Sequence, residues 1–136
     1  MIRCLILFLA LALGGCATSH HSFAPISKAR TATGQVRYEG HGHSVIGELI
    51  VAQGPEGAML EFSKGAGVSL LRVLSDKTHI RFEGPLARGS RELSHDAKVP
   101  THLGIWSQLA ARPVASGTGS YSSEGEKITY QLSIVR

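Results

Sequence analysis

The sequence predicts an α+β fold in which a curved antiparallel sheet, an unclosed half-barrel, carries one short helix over its concave face. Short apolar runs with a period of two residues, separated by glycine-containing turns, follow one another from residue 34 onward. This pattern is typical of antiparallel strands. A single stretch near residue 105 has helical spacing instead. A sheet with one solvated face and one helix to cover the other gives the α+β class.

Strands are predicted wherever apolar residues alternate with polar ones. In the second segment apolar residues occupy both parities, which predicts either a strand covered on both faces or a bulge at Gly47. The last segment alternates most regularly, with Ile128, Tyr130 and Leu132 on one face. The predicted strands are 35–39, 45–52, 58–63, 68–74, 78–83, 114–122 and 127–135.

The helix is predicted from Leu103, Trp106 and Leu109, which recur on one helical face after Pro100. Pro113 is expected to stop it, because proline cannot continue a helix. Between Pro85 and the helix, residues 86–99 are polar, and we expect an irregular segment with a short helical turn at 91–95.

The N-terminal residues have the organisation of an export signal. Arg3 supplies a positive charge, and residues 4–13 form an apolar run too short to span a bilayer, which takes about 20 residues. Leu13-Gly14-Gly15-Cys16 then resembles the lipobox of bacterial lipoproteins. The resemblance implies cleavage before Cys16, a diacylglycerol on its thiol and acylation of the new amine, and therefore a membrane as partner through this lipid anchor.

Three regions follow from these observations: a lipoprotein signal peptide at 1–15, a flexible tether at 16–33 and one domain at 34–136. The tether is rich in Ser, Thr, Ala and His. Ala17 and Thr18 lack the aspartate that commonly retains lipoproteins in the inner membrane, so the resemblance implies the periplasmic face of the outer membrane. Cys4 leaves with the signal, and the domain keeps no thiol for a disulfide.

The order of motifs in the domain resembles the outer-membrane lipoprotein receptor LolB and its periplasmic carrier LolA. Proteins of that family fold as an unclosed half-barrel whose helices cover an apolar cavity that receives lipoprotein acyl chains. The present domain is shorter, and its turns at 53–57 and 64–67 carry no large apolar residue like the exposed leucine of the receptor. The segments that carry the resemblance are Gly47-Glu48-Leu49-Ile50-Val51, Met59-Leu60-Glu61-Phe62-Ser63, Leu70-Leu71-Arg72-Val73, the tryptophan-containing helix and the terminal hairpin.

The candidate ligand-binding residues are the apolar side chains that such a cavity would expose. Each could equally be ordinary core, because burying a large apolar side chain stabilises a small domain by about 1.5 to 3 kcal/mol. They are Leu60, Phe62, Leu70, Phe82, Leu103, Trp106, Leu109, Tyr130 and Leu132.

No catalytic or metal-binding pattern is predicted. His41 and His43 are expected in a glycine-rich turn without Cys, Asp or Glu at ligand spacing. Gly42-His43-Ser44-Val45-Ile46-Gly47 lacks the second glycine of a nucleophile elbow, since Ile46 stands in its place. The formal net charge of +4 comes without a basic cluster interleaved with aromatic residues, which argues against nucleic acid as a partner.

The sequence therefore predicts a non-catalytic, lipid-anchored outer-membrane protein without cofactor, which binds an apolar ligand or an acyl chain in its half-barrel and takes part in lipid or lipoprotein handling. The alternative is a structural or interaction lipoprotein of the cell envelope that has no ligand cavity. The two hypotheses differ in whether all of the apolar side chains are buried against one another in the core or some remain available to line a cavity. No protein partner is predicted.

Overall fold

The computed structural model of the chain describes residues 21–65 and 67–135, and within them an antiparallel sheet of eight strands. The strand order is β6-β5-β4-β3-β2-β1-β8-β7, so the two edge strands are not paired and the half-barrel stays open. The predicted fold class is confirmed. The strands are β1 (Arg30–Gly40), β2 (His43–Gly54), β3 (Gly57–Ser63), β4 (Ser69–Asp76), β5 (His79–Gly84), β6 (Gly89–Ser94), β7 (Gly117–Ser123) and β8 (Glu126–Ile134).

The prediction of an irregular segment with a helical turn at 91–95 is wrong. After β5 a short 3-10 turn, Pro85–Ala87, reverses the chain, and Arg88 takes up a left-handed conformation. Gly89 follows with φ 114 and opens β6, which pairs antiparallel with β5. β6 is an edge strand and is mostly exposed, so it lacks the apolar alternation by which a half-buried strand is recognised.

β1 begins at Arg30, before the predicted start of the domain at residue 34. It lies between β2 and β8 and pairs with both over most of its length. Ala32, which belongs to the predicted tether, is fully buried in the core. The outward-facing residues of β1 are polar, and this concealed the alternation of buried and exposed residues at the start of the strand.

The register of β1 against β2 runs through Gly47 without a shift, so the bulge predicted there is absent. Ile46 is instead exposed on the outer face of the sheet. A bulge does occur between β3 and β4, where Phe62 pairs with Leu71 and Ser63 with Ser69. Leu70 is the residue that this bulge leaves without a partner.

The helix α1, Thr101–Ala111, packs its apolar face against the concave side of the sheet and confirms the prediction from Leu103, Trp106 and Leu109. These side chains are almost completely buried, as is Ile105. Inward-facing residues from β1 to β5 and β8 complete a continuous core beneath them. Removal of this apolar surface from water is what fixes the helix on the sheet.

A glycine inside α1 provides a test of the helix assignment. A Cβ atom built on Gly104 meets no heavy atom within 4 Å. Because glycine costs a helix interior about 0.5 to 1 kcal/mol relative to alanine, we expect Gly104→Ala to raise the free energy of unfolding by that amount. Urea unfolding followed by circular dichroism measures the change.

The matched control is Gly34→Ala in β1, where a Cβ would lie 1.7 Å from the carbonyl oxygen of Gln131 in β8. Alanine cannot fit there without separating the two strands, so this variant should lose several-fold more stability than Gly104→Ala gains. A destabilised Gly104→Ala protein would contradict the position of α1.

Candidate functional site

The concave face beneath α1 brings together all of the predicted ligand residues except one. Eight of the candidates are at most 6% exposed and belong to one continuous core. Leu70 is the exception, since it lies at the β3–β4 bulge and is only partly buried at the margin of that core. The sequence pattern therefore located an apolar face correctly, whether that face serves as core or as a binding surface.

Trp106 occupies the centre of this face. Its ring stacks on Phe62 with the centroids 5.1 Å apart, and it lies 5.8 Å from the ring of Tyr38. The cavity bounded by Val51, Leu109 and Leu132 holds only about 10 Å³, which is less than an ordered water molecule needs. An apolar ligand can therefore occupy this face only if α1 moves away from it.

The C-terminal end of α1 is tied to β2 by one side chain. Gln53 donates hydrogen bonds from Nε2 to the carbonyl oxygens of Ala110 and Arg112, and its Oε1 accepts from the backbone N–H of Val114. The guanidinium of Arg112 lies over the ring of Tyr130, 5.0 Å from its centroid. These contacts satisfy backbone groups that the helix end would otherwise leave unpaired.

Near the N-terminal end of α1, buried polar atoms lack hydrogen-bond partners among the described residues. The Nε2 atom of His102 is buried and has no hydrogen-bond partner among the described residues, and the same holds for Oε2 of Glu126. Burial lowers the pKa of His102, and repulsion from Arg88 and Arg91 lowers it further against the attraction of Glu126. A buried polar atom without a partner costs about 1 to 3 kcal/mol, so this end of the helix is held less firmly than the other.

Glu126 is the single charged side chain among the buried polar residues of the described chain. Its Oε1 accepts a hydrogen bond of 2.9 Å from the hydroxyl of Tyr38 and lies 3.3 Å from Nε2 of His41. Burial, together with that hydrogen bond and the nearby carboxylate, raises the pKa of Tyr38 to about 12. Gly40 is required beside them, because a Cβ there would lie 2.7 Å from the Tyr38 hydroxyl oxygen.

An open cleft of about 650 Å³ lies at this end of the sheet. Its walls are the β1–β2 turn with His41, the start of β2 with His43, and the β7–β8 turn, and Glu126 contributes to its lining. His41 lies in the predicted turn, whereas His43 is the first residue of β2. The role of Glu126 was missed, although it shares the parity of Ile128 and Tyr130 and this was the available signal.

Cys16 and the signal peptide lie outside the described residues. Within 21–65 and 67–135, no helix is long and apolar enough to cross a membrane. Comparison of the sequence with models of known protein families and with curated proteins gives no match.

His102 gives the site a defined dependence on pH. Its pKa lies below the ordinary value of 6.5 in the folded protein, so the unfolded chain binds the proton more tightly. Stability is therefore lost as the pH falls through and below 6.5. In His102→Leu this component should be absent, and the free energy of unfolding near neutral pH should rise by about 1 kcal/mol.

Urea unfolding at a series of pH values on both sides of 6.5 measures the difference between the two proteins. His43→Gln, at the exposed first residue of β2, is the control and should follow the wild type at every pH. A His102→Leu protein whose stability declines on acidification as steeply as that of the wild type would contradict the assignment.

Proposed function

We propose that the protein is a non-catalytic, outer-membrane-anchored lipoprotein that binds an acyl chain or similar apolar ligand between α1 and the concave face of its half-barrel. The observation that carries this proposal is the unequal attachment of the helix. Its C-terminal end is held by the Gln53 hydrogen bonds, whereas at its N-terminal end the buried Nε2 of His102 has no hydrogen-bond partner among the described residues, and neither has Oε2 of Glu126, with which His102 interacts electrostatically.

The apolar face beneath the helix suits an acyl chain energetically. Displacing the buried side chains of Leu103, Ile105, Trp106 and Leu109 from the sheet costs about 1.5 to 3 kcal/mol each, about 6 to 12 kcal/mol together. A chain of about 16 carbons offers roughly 0.8 kcal/mol per methylene on burial, about 12 kcal/mol before the entropy of binding is subtracted. Only a long acyl chain therefore offers enough apolar surface to compete with the helix for the sheet.

The route of entry follows from the same asymmetry. Nε2 of His102 and Oε2 of Glu126 have no hydrogen bonds among the described residues that could be lost when the N-terminal end of α1 separates from the sheet. It also exposes both atoms to water, which removes part of their burial penalty. The helix would thus open at this end and pivot about the end that Gln53 holds.

The cleft beside Glu126 would receive the polar part of such a ligand. Oε2 of Glu126 can accept a hydrogen bond, and the cleft that it lines is open to solvent. A lipid has this composition, an apolar chain with a hydrogen-bonding head. The resemblance to LolB and LolA supports the same ligand class, because those proteins receive acyl chains in a half-barrel.

Anchoring at Cys16 would keep the domain close to the membrane. His21 is fixed to the sheet because its backbone N–H donates a hydrogen bond to Glu92 and its carbonyl oxygen accepts one from Arg81. Cys16 lies five positions earlier in the chain, and such a segment spans at most about 18 Å when extended. The domain would therefore exchange lipids at short range.

The anchor is tested by intact-mass measurement of the membrane fraction. We expect Cys16→Ala to lose the lipid mass and the cleavage of residues 1–15, because the acceptor thiol is gone. Cys4→Ala is the matched control, and the mature protein should be unchanged because that residue leaves with the signal peptide. Lipid attached to the Cys16→Ala protein would refute the anchor.

The ligand site is tested by titrating a fluorescent fatty acid into the chain from Ala17 onward, which retains every described element. We expect saturable binding to one site. His102→Leu should weaken it several-fold, because an apolar residue stabilises the closed helix. Gly104→Ala is the matched control, since it stabilises the helix in the closed and open positions alike and should leave the affinity nearly unchanged.

Native mass spectrometry of the same proteins distinguishes the competing function. A folded wild-type protein that retains no lipid and shows no saturable probe binding would overturn the proposal. It would favour the interaction lipoprotein instead, for which the completely filled core beneath Trp106 is the supporting observation.

A further inference from the structure

Three side chains that are distant in the sequence meet at the β4–β5 turn, on the outer side of the sheet. His21 opens the described chain, Asp76 ends β4 and His79 begins β5. One potential ligand atom from each lies within 4.8 Å of the other two. Imidazole nitrogen and carboxylate oxygen are the ligands of Zn²⁺ in proteins that supply no thiolate. We infer that His21, Asp76 and His79 bind a Zn²⁺ ion whose fourth position is open to solvent.

Asp76 is held in a fixed orientation for this role. Its Oδ1 accepts hydrogen bonds from the backbone N–H groups of Thr78 and His79, both 2.8 Å long, and one of 3.2 Å from the Thr78 hydroxyl. Oδ2 is left facing His21. Burial alone would raise the pKa of Asp76, but the hydrogen bonds from His21, His79 and Thr78 lower it well below its usual range.

The tautomer of His79 follows from the same hydrogen bonds. The Thr78 hydroxyl oxygen lies 3.2 Å from Oδ1 of Asp76 and 2.8 Å from Nδ1 of His79. When its one hydrogen is donated to the carboxylate, the hydroxyl oxygen accepts from Nδ1–H, and in that tautomer Nε2 has the lone pair for a metal. A hydrogen bond that orients the second ring nitrogen in this way is the usual support of a metal-binding histidine.

His21 is brought to the site by its backbone. Its N–H donates to Oε1 of Glu92 across 2.9 Å, and its carbonyl oxygen accepts from Arg81 across 2.7 Å. Its ring stacks on that of His79 with the centroids 3.9 Å apart and the planes at 19°. In the metal-free protein Nε2 of His21 is hydrogen-bonded to Asp76. The ion would take the place of that hydrogen, which moves to Nδ1 and leaves the ring neutral.

The dimensions and charges of the cluster suit such an ion. Zinc bound at about 2.0 to 2.2 Å in tetrahedral geometry holds its ligand atoms about 3.3 Å apart. Binding would require the His21 ring, whose side chain is 25% exposed, to rotate out of its stack on His79, because the in-plane lone pairs of two nearly parallel rings do not converge on one ion. The nearby cation, Arg81, is paired with Glu83 and Glu92, so its repulsion of the metal is largely compensated.

A neighbouring histidine supplies a matched control. The Nε2–H of His95 donates to the backbone carbonyl oxygen of Asp76, and that nitrogen is not available to a metal at this site. His95 is thus adjacent to the cluster without belonging to it. The competing interpretation is that the His21–Asp76 contact has only a structural role and holds residues 21–29 against the sheet.

The test uses the mature lipoprotein in non-ionic detergent, stripped with a chelator and titrated with Zn²⁺ by calorimetry. Co²⁺ serves as a spectroscopic substitute, because its visible absorption reports tetrahedral coordination. We expect one ion per chain. His79→Ala and Asp76→Asn should each weaken binding by at least about tenfold, and Thr78→Val should do so by about tenfold through loss of orientation. His95→Ala and His43→Ala should bind as the wild type does.

Circular dichroism identifies any variant that is unfolded. If a ligand variant is unfolded, its result is replaced by that of Thr78→Val, which keeps all three ligands. Wild-type protein that binds no Zn²⁺ would overturn the inference. So would equal affinities of the wild type and His79→Ala, or equal losses in His95→Ala and His79→Ala. The acyl-chain proposal is independent of this outcome, since the cluster lies on the opposite face of the sheet from α1.

Discussion

Burial of one face of α1 against the concave side of the sheet is the interaction on which the rest of the structure depends. Without the helix, the inward faces of β1 to β5 and β8 would present a continuous apolar surface to water. Trp106 contributes most to covering it, through its contacts with Phe62 and Tyr38. The open half-barrel is thus stable only while something apolar lies on that face, which is the helix in this structure and would be an acyl chain under the proposed function.

The polar groups around α1 determine which end of the helix can separate from the sheet. Gln53 makes its hydrogen bonds at one end of α1, whereas the buried atoms of His102 and Glu126 are unpartnered at the other. Unsatisfied buried groups in a native protein call for an explanation, and a binding site that opens at this end provides one. Glu126 then links the two parts of the proposed site, since it interacts electrostatically with His102 of the helix and also lines the open cleft.

The N-terminal segment lies on the outer side of the sheet, where the inferred metal site would form a second functional surface. Residues 21–29 do not merely lead into β1: Phe23 packs beneath Arg81, and His21 meets Asp76 and His79. A metal ion there would fix the chain close to its expected lipid anchor. The inner face of the sheet would handle the ligand, and the outer face would set the position of the domain relative to the membrane.

The sequence by itself determined the fold class, the position of α1 and the apolar concave face, because alternation and helical spacing are local consequences of burial. It missed β6, whose exposed edge position removes that alternation, and the early start of β1. The sites were decided by tertiary structure alone. His102 and Glu126, like His21 and His79, are far apart in the chain, and only the register of the strands and the docking of the helix bring such residues together. An inward-facing side chain belongs to the core or to a binding surface depending on what covers it. A local sequence pattern does not identify the covering element.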